Sequence, residues 1–102
     1  ELTRAAEYFK QAIRLSLDVQ ALLITLNALV GLARMYAQGE KVRFALEIAI
    51  RVVEHPASTQ DARVSAHQIR RDLESQLTND EVEAAYQRAR ADTLEEFAQV
   101  HL

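Results

Sequence analysis

Apolar residues recur at steps of three and four along nearly the whole chain, the spacing that collects them on one face of an α-helix. Leu2, Ala5, Ala6, Phe9, Ala12 and Ile13 share one face with Ser16, while Arg4, Glu7, Lys10, Gln11 and Arg14 fall mostly on the other. This pattern predicts a first helix over 2–17, with Asp18 placed to cap the next by accepting from its free backbone N–H groups. A second helix is predicted over 19–37, where Leu22, Leu26, Leu29, Ala33 and Tyr36 form a stripe and Leu23, Val30 and Met35 spread beyond it. A helix this apolar packs on more than one side. Gly39 stands just past its end, where a left-handed cap suits glycine. A third helix is predicted over 41–54 on Val42, Ala45, Ile48, Ala49, Val52 and Val53. His55-Pro56 ends it, because proline disfavours helical geometry in the residue before it.

Capping signals then take over. Ser58 with Asp61 reads as a loose capping box opening a fourth helix over 59–76, with Ala62, Ala66, Ile69, Leu73 and Leu77 as its stripe. Thr78-Asn79-Asp80-Glu81 is a stronger box and starts a fifth helix over 79–90, with Val82, Ala85, Tyr86 and Ala89 inward. Thr93-Leu94-Glu95-Glu96 repeats the device for a short last helix ending near Val100, its buried face Leu94, Phe97 and Ala98. The chain therefore reads as all-α, five long helices and a short capping helix in one domain over 1–102.

Two glycines and one proline in 102 residues agree with few turns. A hydrophobic fraction of 49% excludes general disorder. The net charge of −3, with no run of Lys or Arg, disfavours nucleic-acid binding by this segment. Cysteine is absent, so neither disulfides nor thiolate chemistry enter. The most apolar stretch, 21–37, is interrupted by Thr25, Asn27 and Arg34, too polar and short for a membrane span. A cytoplasmic location is the expectation. Glu1 is not a start methionine and the helical pattern is under way by Leu2. The chain thus reads as a piece of a longer protein.

Internal repetition adds architecture. Leu2, Val42 and Val82 stand forty residues apart, as do Ala5, Ala45 and Ala85, and Phe9, Ala49 and Ala89. At the same step Leu22 matches Ala62, Leu26 matches Ala66, Leu29 matches Ile69, and Ala33 matches Leu73. Small residues returning at helix crossings let backbones approach closely. Hairpins that cannot bury both faces alone stack on their neighbours.

The residues also carry a resemblance. Ala5-x-x-x-Phe9-x-x-Ala12 is similar to the second helix of a tetratricopeptide repeat. Leu29-x-x-Leu32-Ala33-x-x-Tyr36, then Gly39 and Ala45, is similar to a first helix, turn and second helix. The segments 29–39 and 83–96 resemble the C-terminal helical region of MalT-like and other large LuxR-type bacterial transcription regulators and related multidomain signalling proteins. Ala49 and Val52 depart from the residues usual in the repeat, and Arg90 or Ala91 replaces a glycine common before the last helix. The resemblance implies antiparallel hairpins stacked as a short, right-handed tetratricopeptide-like solenoid. It further implies a module that docks a protein or peptide partner or senses a small-molecule inducer.

Candidate chemistry is sparse. His55, His67 and His101 belong to no metal-ligand motif, and no cofactor is expected. Glu81, Glu83, Glu95 and Glu96 lie in first helical turns, where capping and the helix dipole account for them without catalysis. Tyr8, Tyr36 and Tyr86 occupy or border apolar stripes and read as packing. Two surfaces remain as partner sites. One is the polar set Asn27, Arg34 and Gln38 on the otherwise apolar second helix. The other is the cationic set Arg63, His67, Arg70 and Arg71 on the fourth, suited to acidic groups. The reading is a non-catalytic interaction or inducer-sensing module. Its alternative is a solenoid cap that self-associates as a homodimer, with an exposed apolar edge at Leu2, Phe9 and Ile13.

Overall fold

The computed structural model describes residues 2–15 and 22–101. Every regular element among them is a helix: α1 Leu2–Leu15, α2 Leu22–Gln38, α3 Val42–Glu54, α4 Gln60–Glu74, α5 Asn79–Ala91 and α6 Leu94–His101. Ser16, Asp18 with its capping role, and Leu102 lie outside the described residues.

Each helix packs on the next as far as α4, and two contacts skip a neighbour: α2 lies on α4, and α3 lies on α5. Helices α2 and α4 thus sit side by side on one side of the molecule, α3 and α5 on the other, and α1 packs on α2. Several of the positions forty apart lie in the core between them, while Leu2 is exposed and Phe9, Leu22, Val42 and Val82 are partly buried. Leu26 and Ala66, Leu29 and Ile69, and Ala33 and Leu73 are all buried, as are Ala45, Ala49, Ala85 and Ala89 along α3 and α5. Alanine there leaves room for α5 to approach the α3 backbone closely.

Four local expectations are corrected. Gly39 has no positive φ; the turn closes instead with its N–H donating to the Tyr36 carbonyl at 3.1 Å, a tight bond that needs no left-handed residue. Thr59, not Ser58, caps α4 by accepting from the Ala62 N–H at 3.1 Å. The buried Ser58 hydroxyl turns inward and donates to the Val52 carbonyl at 2.6 Å, tying the α3–α4 turn to the end of α3. Of the edge expected open at Leu2, Phe9 and Ile13, Leu2 is exposed, but Phe9 is half-buried and Ile13 fully buried. Tyr8, read as packing, is 68% exposed instead.

The later caps stand as read. Thr78 and Glu81 exchange side-chain and backbone bonds at 3.1 and 2.9 Å, and Thr93 and Glu96 do the same at 3.1 and 2.8 Å. Leu94, Phe97 and Ala98 are buried under α6.

Candidate site between the second and fourth helices

The two expected partner surfaces fare differently in the fold. On α4 the cationic set divides. Arg63 turns back over the end of α3, donating to the Val53 and His55 carbonyls at 3.3 and 3.0 Å. It satisfies carbonyls that the end of a helix leaves open. Arg70 points toward α5. Its Nε donates to His67 Nδ1 at 3.3 Å, and its Nη1 to Glu74 at 3.0 Å and to the Tyr86 hydroxyl at 3.4 Å. Tyr86 in turn donates to Glu74 at 3.0 Å. Burial, then the bond to Glu74, raises the Tyr86 phenol above its ordinary pKa. Arg63, His67 and Arg70 are therefore tied into the fold. Arg71, a hundred degrees further round the helix, is exposed and belongs to another face.

The face that α4 shares with α2 is a different one. Arg34, Ala37 and Gln38 of α2, Ser65, Gln68, Ile69, Asp72 and Leu73 of α4, and Gln76 of the turn after it line a cleft of about 280 Å³. Ile69 and Leu73 are buried and form its floor. A second hollow, lined by Gln68, Arg71, Asp72 and Ser75, shares Gln68 and Asp72 with the cleft, and Arg71 lines this hollow alone. Asn27 is exposed on the α2 stripe two turns before Arg34, outside the lining residues.

The side chains of Arg34, Gln38, Ser65, Gln68, Arg71, Asp72 and Gln76 make no hydrogen bond or ion pair among the described residues, apart from the Ser75 hydroxyl bonding the Asp72 backbone. The cleft combines an apolar floor with amides that both donate and accept, one guanidinium group and one carboxylate. Sequence reading missed Ser65, Gln68, Asp72 and Gln76. The signal was present: Ser65, Asp72 and Gln76 keep the seven- and four-residue spacing of Asn27, Arg34 and Gln38, one polar stripe on each of two neighbouring helices.

A buried ionic cluster on the opposite side also escaped the sequence reading. Glu47 and Arg51, one turn apart on α3, have side chains only 5% and 6% exposed. Arg51 donates to Glu47 at 3.2 Å, to the Arg88 carbonyl at 3.1 Å and to the Asp92 carboxylate. Arg88 meets the other Glu47 oxygen at 3.1 Å. The Arg51 guanidinium also stacks 4.1 Å from the Phe97 ring centre. Two charges on the most buried helix could have been noticed, since such groups persist in a core only when paired.

Among the described residues, no group of His, Asp or Glu could hold a metal ion, and no helix is long and apolar enough to cross a membrane. No family model matches the chain, and no curated protein or solved structure is similar to it.

Proposed function

We propose that this chain is a non-catalytic interaction module, built as a tetratricopeptide-like stack, that receives a segment of a protein partner in the α2/α4 cleft. Its setting on this reading is a larger bacterial transcription regulator or signalling protein. One observation carries the proposal: a row of uncommitted polar side chains borders a buried apolar floor between neighbouring helices.

The cleft favours an extended peptide over an enclosed inducer. Its volume of about 280 Å³ lies just under the range of about 300–1,000 Å³ usual for small-molecule sites. Gln38, Gln68 and Gln76 would bond the peptide backbone, each amide serving as donor and acceptor. Arg34 is the cation of the cleft lining and suits a peptide bearing a carboxylate. The skipping contacts α2–α4 and α3–α5, and the burial of residues forty apart, support a stack of hairpins.

Selection from a displayed library of random peptides tests this reading. Selected peptides are expected to carry an acidic residue and to lose about tenfold or more in affinity with Arg34→Ala or Gln68→Ala, the loss of a charge-assisted or neutral bond. Arg43→Ala, an exposed change on α3, leaves binding unchanged. Binding that survives both cleft variants would contradict the proposal.

A further inference from the structure

The junction of α5 and α6 breaks a helix without a helix breaker. Residues 79–101 contain neither glycine nor proline, and only Asp92 and Thr93 separate the two helices. The α2–α3 turn, by contrast, holds Gly39, the α3–α4 turn holds Pro56, and the α4–α5 turn spends four residues, 75–78. Beside the local Thr93–Glu96 box, a side chain from another helix closes the end of α5. Asp92 is extended, at φ −144 and ψ 171. Arg51 of α3 grips its carboxylate, its carbonyl at 3.4 Å, and the Arg88 carbonyl one turn earlier at 3.1 Å. A guanidinium thus supplies the C-terminal cap of α5, and the Thr93–Glu96 box restarts the chain as α6.

Read through as one helix, the segment would lose this arrangement. The inward stripe of Val82, Ala85 and Ala89 would continue to Asp92, Thr93 and Glu96, all polar. Leu94, Phe97 and Ala98 would rotate off that stripe and leave their own core. Phe97 is fully buried and lies 5.7 Å from Phe44, with His101 at 5.1 Å from the same ring. Only an identical seat on another copy could restore those contacts. Exchange of an identical element between copies preserves its contacts and changes those at the hinge. The hinge contacts here are Asp92 with Arg51 and Thr93 with Glu96.

We propose that the Asp92–Thr93 junction is a switch between a closed monomer and a dimer that exchanges α6, with Arg51 holding the monomer closed. In the dimer α5 and α6 form one straight helix, and each α6 rests on the partner copy's Phe44 and Arg51. The closed form loses a charge-assisted bond when Asp92 is replaced, which shifts the balance toward exchange by about tenfold or more per chain.

The absence of cysteine permits site-specific spin labels on the full chain. Labels at Glu40→Cys and Gln99→Cys flank the Phe44–His101 contact. The doubly labelled chain is expected to be monomeric with one short intramolecular distance. Asp92→Ala with Thr93→Ala is expected to dimerise with rising concentration. Mixing singly labelled copies of that variant should yield the same short distance between copies. Asp92→Asn, a milder change that keeps the side chain's size, should dimerise less than the double variant and more than the original. The proposal is overturned if both variants stay monomeric with the short intramolecular distance. A dimer lacking the short distance between copies, or an α6 that merely unfolds, overturns it equally.

Discussion

At the scale of single residues, Gly31 shows how far one side chain can be legible only from the fold. In the sequence it is a helix-weakening residue in an apolar run. In the structure a Cβ there would meet the Phe9 ring at 2.5 Å, so the glycine is the seat that lets α1 lie on α2. Gly31→Ala should therefore cost about 1–3 kcal/mol in overpacking, partly offset by about 1 kcal/mol of helix propensity. With Phe9→Ala already present the clash is gone, and the same Gly31→Ala change should become stabilising. Denaturant titration of the four variants checks the change of sign; an equal cost in both backgrounds would mean that the ring does not set the crossing. Arg51 is the second such residue. Its removal leaves Glu47 buried beside the weaker claim of Arg88 alone, so Arg51→Ala should destabilise by about 3–5 kcal/mol. Unfolding midpoints measure this, and a loss no larger than that of an ordinary surface ion pair would contradict the burial described for the cluster.

At the scale of elements, the sequence was most legible where local chemistry fixes a boundary. The Thr78 and Thr93 boxes satisfy their own helix starts, and both appear where the residues predict them. It was least legible where tertiary contacts decide between equivalent neighbours. Ser58 and Thr59 are both competent caps, and the choice falls to Thr59 because the Val52 carbonyl claims Ser58. Thr78→Ala should cost about 1 kcal/mol of stability, seen in the same denaturant titration. The acid response of α5 follows from two carboxylates. Hydrogen bonding to Arg90 holds Glu54, and the Thr78 backbone N–H holds Glu81, below the ordinary value of 4.5. A depressed folded-state pKa contributes stability above the unfolded value and loses it as the pH falls through the folded one. The melting temperature should thus decline below pH 4.5, and Glu81→Gln should flatten part of that decline. An unchanged slope in the variant would show that the bond to Thr78 carries none of it.

At the scale of the whole molecule, the all-α class and the helix order could be read from periodicity, and of the positions forty apart Leu26, Ala66, Ala45 and Ala85 are buried while Leu2 is exposed. The site was half legible. Arg34 and Gln38 stood out as polar residues on an apolar helix, and both line the cleft. The Arg63, His67 and Arg70 set did not survive as an open surface, because charge spacing along one helix says nothing of the carbonyls and carboxylates that neighbouring helices bring to it. Gln68 and Asp72 gained meaning only when α4 was laid beside α2. The central claim is that this pairing makes the α2/α4 cleft the partner-binding face. Its most direct test is a nuclear magnetic resonance titration of the labelled chain with a selected peptide. The account predicts shifts concentrated on Arg34, Gln38, Ser65, Gln68 and Asp72, with the Glu47–Arg51 side undisturbed. Shifts centred on α3, α5 and α6, with the cleft silent, would contradict it.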